Sequence, residues 1–172
     1  RTYSYILYRD QNMIQITQND VRAIQLAKAA LYAGIKLLME HMNINSVDRI
    51  RLAGAFGSHI DVKYAMIIGL IPDCNLDDVS SAGNAAGTGA RITLLNHKKR
   101  KEIENIVKSV EKIETAVEQK FQEHFVNAMA FPHKTDKFQN LEKEVSLPKI
   151  SNLEKDSNFD INNTKRRRRR KH

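Results

Sequence analysis

Apolar and polar positions switch between a period of two and a helical period along the first 130 or so residues, and those switches predict the elements. Thr2 to Tyr8 is aromatic and β-branched, Arg9-Asp10-Gln11-Asn12 is a polar turn, and Met13-Ile14-Gln15-Ile16 alternates back. This predicts a hairpin or a pair of adjacent strands. Thr17 then offers a capping hydroxyl with Asp20 three residues on, a helix start. From Val21, the positions Ile24, Ala27, Leu31, Ile35, Leu38 and Met42 form one helical stripe, predicting a helix to about Met42. Gly34 inside it is expected to allow close packing rather than to bind anything.

The centre of the chain is Asp48 to Gly57. Ile50 and Leu52 alternate with Arg49 and Arg51, as in a half-buried strand, and Gly54 and Gly57 bracket a tight turn. Ile60, Tyr64, Ile67 and Ile68 predict a helix over His59 to Ile68, with Gly69 at its end and Pro72 beyond. Asn75 to Asp78 is a second turn and Val79 to Ala82 a brief strand. Gly83-Asn84-Ala85-Ala86-Gly87-Thr88-Gly89-Ala90 leads into Arg91 to Asn96, and its small residues suit a helix packed very closely on its neighbours. His97 to about Val117 reads as a charged amphipathic helix with Ile103, Ile106, Val107, Val110 and Ile113 on one side. Lys98 to Lys101 near its start form a solvated face. Phe121, Phe125, Met129 and Phe131 continue the apolar pattern to Pro132. Residues 134–172 show no periodicity and are expected to be a disordered tail, giving a domain over 1–133.

At 172 residues the chain suits one domain. The single cysteine, Cys74, excludes an internal disulfide or a cysteine-rich metal or iron–sulfur site within it, and makes the reducing cytoplasm the expected compartment. No apolar run reaches the roughly twenty residues of a membrane span, and no signal-peptide pattern is present. The chain begins at Arg1, directly in strand-like sequence, so a fragment of a longer protein is expected. The formal charge of +8 changes meaning once it is located. Lys165 to Lys171 are seven consecutive basic residues, and without them the charge falls to +1. Such a tail binds phosphate backbones or anionic surfaces, or is simply solvated. No aromatic residue interleaves with the arginines, which argues against nucleic acid as a partner.

A strand feeding a glycine turn and a helix is a place where a nucleotide can sit, although glycine turns also join strands to helices for steric reasons alone. The run Gly83 to Ala90 is not a Walker loop, because Ala90-Arg91 follows the last glycine where Lys and Ser/Thr would be needed. Its glycine spacing does not fit the dinucleotide fingerprint either.

The order of Ile16-Thr17-Gln18-Asn19-Asp20-Val21-Arg22, Leu52 to Gly57, Gly69-Leu70-Ile71-Pro72, Gly83 to Ala90 and finally Phe125 to Pro132 resembles the C-terminal domain of the reductive activators of corrinoid proteins. These are ATP-dependent members of the acetate and sugar kinase/heat-shock/actin superfamily. The resemblance covers about residues 1 to 133. It implies an α/β fold of the ribonuclease-H-like, actin-like ATPase type, present as part of one lobe, with a C-terminal amphipathic helix and a tail. It also implies that Gly54, Ala55, Phe56, Gly57 and Ser58 lie beside the adenosine of ATP. Asp20 and Arg22 would open a helix on the other side of the base, and Gly83 and Asn84 would close the pocket. In such activators an iron–sulfur domain supplies the electron, and ATP use drives Co(II) corrinoid to Co(I) on a cobalamin-binding partner protein. Neither the cluster cysteines nor the phosphate loops and Mg²⁺-binding acids are present here. The implied partners are therefore the N-terminal half of the same polypeptide and the corrinoid protein, with a homodimer left open. No metal site and no catalytic residue is assigned within the chain. Two other readings remain: a different ATPase or sugar kinase of the superfamily, and a non-enzymatic nucleic-acid or anionic-surface binder acting through the basic tail.

Overall fold

The computed structural model describes residues 3–10 and 12–147, so the polybasic tail lies outside the described residues. It divides into two compact units, residues 1–141 and 142–172. Of the second unit, only residues 142–147 are described.

Strands β1 (Ser4–Arg9) and β2 (Met13–Thr17) form the expected antiparallel hairpin, with Ser4 opposite Thr17 and an irregularity between Ile6 and Tyr8. Helix α1 (Gln18–His41) starts from a complete capping box. The Asp20 amide donates to Thr17 Oγ1 at 3.2 Å, and the Thr17 amide donates to Asp20 Oδ2 at 2.8 Å. Those hydrogen bonds to Thr17 hold the Asp20 carboxyl below its ordinary pKa.

The buried face of α1 is not the predicted stripe. Ile24, Leu31, Leu38 and Met42 are exposed, whereas Lys28, Ala29, Tyr32, Ala33, Leu37 and Met39 are buried. The helix is apolar on more than one side, and among the described residues α6 and β2 are the elements it contacts most. Helix α6 (Phe121–Ala128) packs on α1, and Lys120 and His124 reach Glu40 at 3.3 and 3.2 Å.

Strand β3 (Ile50–Ala53) pairs in parallel with β4 (Val79–Gly83). Ile50 and Leu52 are half-buried between exposed neighbours, as their alternation predicts. The tight turn expected between Gly54 and Gly57 is itself a helix, α2 (Gly54–His59), and the helix expected over His59 to Ile68 is the shorter α3 (Val62–Ile67). Ile60 takes an extended backbone, and Asp61 caps α3 by accepting from the Tyr64 amide at 3.0 Å. A capping aspartate competes with helix continuation, which explains the break.

Beyond β4 run α4 (Ala85–Leu95) and α5 (His97–Ser109), separated by Asn96, which caps α5. The long helix expected to Val117 stops at Ser109. Val110, Ile113, Thr115 and Val117 are β-branched and lose side-chain freedom in a helix, and Val110 takes an extended backbone. The close packing expected of the small residues in α4 is also not seen among the described residues, where no residue of α4 is buried.

Packed structure runs past residue 133. The chain continues into α7 (Gln139–Glu144), and Phe138 and Leu141 are among the most buried side chains. Asp73 accepts hydrogen bonds from the amides of Asn140 and Leu141 at 2.9 and 3.1 Å, and so caps that segment.

Candidate functional site

The two parallel strands end side by side in the same way. Ala53 is registered with Gly83, and each strand turns into a helix through a glycine in the left-handed region, Gly54 at φ +89° and Gly83 at φ +59°. Glycine adopts such angles freely, whereas most side chains resist them. A Cβ built on either would meet nothing within 4 Å, so the space over both turns is open. Gly57 is different: a Cβ there would lie 2.9 Å from the Leu52 backbone, so its lack of a side chain lets α2 sit tightly on β3.

Polar groups tie the two turns together. The Ser58 hydroxyl donates to the Gly54 carbonyl at 3.0 Å, and the Ser81 hydroxyl lies 3.4 Å from Ser58 Oγ. Ser81 Oγ also accepts from the Gly83 amide at 3.2 Å. Asn84 caps α4 by accepting from the Gly87 amide at 2.8 Å. Ala53, at the equivalent place before α2, has no side chain with which to cap. Phe56 stands on α2 with 70% of its surface exposed.

Gly54 to Ser58 and Gly83-Asn84 are thus brought together at one sheet end. Ser81 belongs to the same cluster and was not among the residues expected there; the signal for it is the Ser80-Ser81 pair just before Gly83. Asp20 and Arg22 stand elsewhere among the described contacts. The Asp20 carboxylate is engaged with Thr17, and Arg22 lines a cleft of about 460 Å³ with Gln18, Asn19, Val21, Gln25 and Met129. None of those lining residues comes from the strand ends. Among the described residues no three His, Cys, Asp or Glu side chains stand together as they would to hold a metal ion. Cys74 is buried, its thiol near the Asp48 carbonyl at 3.5 Å, and burial pushes its pKa up. No helix among the described residues is long and apolar enough to cross a membrane.

A second polar cluster holds the far side of α1. Gln25, Lys28, Tyr32 and Lys36 follow one row of the helix, and all four grip residues 129–136. Gln25 Nε2 donates to the Met129 carbonyl at 3.0 Å, and Lys28 Nζ donates to the carbonyls of Ala130 and Pro132 beside the Phe131 ring. Tyr32 donates to Asp136 at 2.9 Å, and Lys36 pairs with it at 3.0 Å. Burial lowers the Lys28 pKa to about 8, while the two carbonyls and the ring favour its charged form. Burial tends to raise the Asp136 pKa, but Lys36 and Tyr32 outweigh it and the net shift is downward. His133 stacks on Tyr32 with centroids 4.7 Å apart, and its Nδ1 accepts from the Asp136 amide at 2.9 Å. Gly69, at φ +69°, fits beneath this segment, because a Cβ there would overlap the Pro132 carbonyl.

The model of the C-terminal domain of RACo, the ASKHA domain, matches residues 1–142. A corrinoid activation enzyme RamQ of Eubacterium limosum is 46% identical over 115 residues, covering 66% of this chain and 19% of that protein. A solved structure of a reductive activator for corrinoid, iron–sulfur protein superposes with a TM-score of 0.62 at 34% identity, covering 71% of this chain and 20% of the other. The chain therefore spans about a fifth of the length of these relatives. With the twin strand–glycine–helix ends and the match over residues 1–142 together, the chain belongs to the family of C-terminal ASKHA domains of corrinoid reductive activators.

Proposed function

We propose that this chain is the nucleotide-binding C-terminal portion of an ATP-dependent activator that returns Co(II) corrinoid proteins to Co(I). The observation that carries the reading is the paired strand ends. Gly54 and Gly83 leave the backbone open to a ligand at the carboxyl ends of adjacent parallel strands, where α/β sheets bind nucleotides. Gly54 to Ser58 would line one side of the adenosine and Gly83-Asn84 the other, with the exposed Phe56 ring available to cover it. Asp20 would act chiefly as the cap of α1, and Arg22 would approach the base only from the cleft at the start of that helix.

ATP supplies the driving force for an unfavourable electron transfer. The residues of this chain bind and orient its nucleoside. Mg²⁺, the iron–sulfur cluster and the catalytic groups fall to the N-terminal half of the polypeptide, the partner we propose alongside the corrinoid protein, in the cytoplasm. The apolar surface left open on β1, β2 and the outer side of α1 supports such a half. Tyr3, Tyr5, Leu7 and Leu31 are more than half exposed, and a two-stranded hairpin is marginal by itself. A second copy of the chain is the other candidate to cover that surface.

The test is Co(II) reduction followed by visible absorbance, with this domain in its full-length polypeptide and a corrinoid protein as acceptor. ATP-dependent formation of Co(I), lost in Gly54→Val and retained in Gly34→Ala, is expected. Gly34 is a fair control because it lies inside α1 and a Cβ there would meet nothing within 4 Å. Equal ATP-dependent reduction by both variants would refute the assignment.

A further inference from the structure

The hydroxyl groups at the strand ends form a directed chain. The Gly83 amide donates to Ser81 Oγ at 3.2 Å, which leaves the Ser81 proton to point at Ser58 Oγ, 3.4 Å away. Ser58 in turn donates to the Gly54 carbonyl at 3.0 Å. Donors and acceptors therefore run in one sense, from the amide of one left-handed glycine to the carbonyl of the other. Each hydroxyl both gives and receives, the arrangement in which hydrogen bonds polarise one another.

The backbone leaves this junction to side chains. Ile50, Arg51 and Leu52 pair one for one with Val79, Ser80 and Ser81, but Ala53 is registered with Gly83, so the ladder passes over Ala82. An extra residue on one strand disrupts the pairing around it. The two turns are thus joined less firmly by the ladder than the strands behind them, and the Ser81–Ser58 contact spans from one to the other.

That contact is the slack link. An O–H···O hydrogen bond is ordinarily about 2.7–2.8 Å long, and the Ser81–Ser58 separation of 3.4 Å is well beyond it. A contact equally strong with and without a ligand adds to stability and leaves affinity alone; one that strengthens in the bound state favours binding. The slack link is the one able to strengthen, because drawing the turns together over a ligand shortens it.

We propose that Ser81 is a positioning residue of the nucleotide site: its hydroxyl closes on Ser58 as the nucleoside enters and holds the Gly54 and Gly83 turns at the spacing the nucleoside needs. This role rests on the nucleoside assignment and places Ser81 behind Ser58, acting through it without touching the ligand.

The test is a double-mutant cycle on ATP affinity, measured by titration calorimetry with the domain in its full-length polypeptide. Melting temperatures are taken without nucleotide. Ser81→Ala removes one oxygen from a side chain that is not buried, so the fold should be retained. It should weaken ATP binding about five- to tenfold and leave the ligand-free melting temperature unchanged. Ser81→Thr keeps the hydroxyl on a residue suited to a strand and should restore most of the affinity. In a Ser58→Ala background, Ser81→Ala should have almost no further effect, because the chain is already broken. A hydroxyl that only capped the Gly83 amide, or that touched the ligand itself, would give the same loss in both backgrounds, and that additivity would overturn the proposal. So would a loss in Ser81→Thr equal to that in Ser81→Ala. Phe56→Ala is measured alongside. Weakened binding in Phe56→Ala with none in Ser81→Ala would refute the role of Ser81 and leave the nucleoside assignment standing. Unaltered binding in both would refute the assignment itself, and the role of Ser81 with it.

Discussion

His133 is the side chain whose surroundings depend most directly on pH. Its Nδ1 accepts from the Asp136 amide at 2.9 Å and faces the Thr135 amide at 3.3 Å, so a proton there would replace an acceptor with a donor aimed at donors. Burial lowers its pKa first; Asp136 pulls upward, and Lys28, Lys36 and His124 push further down. A base with a folded-state pKa below its unfolded value favours the native state above that unfolded value, about 6.5, and withdraws the support as pH falls. Urea midpoints should therefore decline as pH falls below about 6.5, and His133→Gln should flatten that slope. An unchanged slope in the variant would place the acid sensitivity elsewhere. Gly69 tests sterics alone. With φ at +69° and the Pro132 carbonyl where a Cβ would lie, Gly69→Ala should lower stability by roughly 2–4 kcal/mol, read from the urea midpoint. A cost near zero would mean that residues 129–136 can move away freely. Gly69 was legible in the sequence as a helix terminator, since its local pattern is complete within a few residues. Its contact with Pro132 was not, because nothing local encodes a partner so distant in sequence. The same holds for Lys28: a lysine in an alanine-rich helix reads as a surface residue until the carbonyls that satisfy it are placed.

Among the elements, those specified locally matched expectation. The hairpin, the Thr17 cap, the alternation in β3 and the strand after the second turn follow from period and turn chemistry. The elements that depend on distant contacts did not. The packed face of α1 is selected by α6 and residues 129–138, not by its most apolar stripe, and α5 stops where β-branched residues, which lose side-chain freedom in a helix, begin to recur. The C-terminal boundary is the clearest case. Residues 134–144 have no periodicity, yet Phe138 and Leu141 are 2 and 0% exposed, and Asp136 closes on Tyr32 and Lys36. Ending the chain after His133 removes all three. It should cost several kcal/mol, comparable with one or two large core cavities, whereas ending it after Ser146 should cost little. Matching urea midpoints for the two truncations would contradict the packing described for that segment.

At the scale of the molecule, the family could be read in the sequence because several short motifs occur in a fixed order, while the pocket could be read only in part. Gly54 to Ser58 and Gly83-Asn84 meet because β3 and β4 pair in parallel, a pairing that their sequence order suggests but local pattern cannot fix. Ser81 joins them for the same reason. If the catalytic and Mg²⁺-binding groups lie in the N-terminal half, as proposed, the chain alone should show no ATP turnover in a phosphate-release assay, and robust Mg²⁺-dependent turnover would contradict that division of labour. The central claim is that the strand ends hold the nucleoside, and nucleotide-dependent stability tests it most directly. Phe56 is 70% exposed, so Phe56→Ala should leave the fold intact and remove only surface offered to a ligand. The domain is placed in its full-length polypeptide, with ATP at about one hundred times its dissociation constant, where binding adds roughly 2.7 kcal/mol to stability. The melting temperature of the parent protein should rise with ATP, and that of Phe56→Ala should rise much less at the same ATP concentration, with equal melting temperatures in its absence. An undiminished ATP-dependent rise in Phe56→Ala, and again in Gly54→Val, would contradict the claim and leave the two glycines as steric turns.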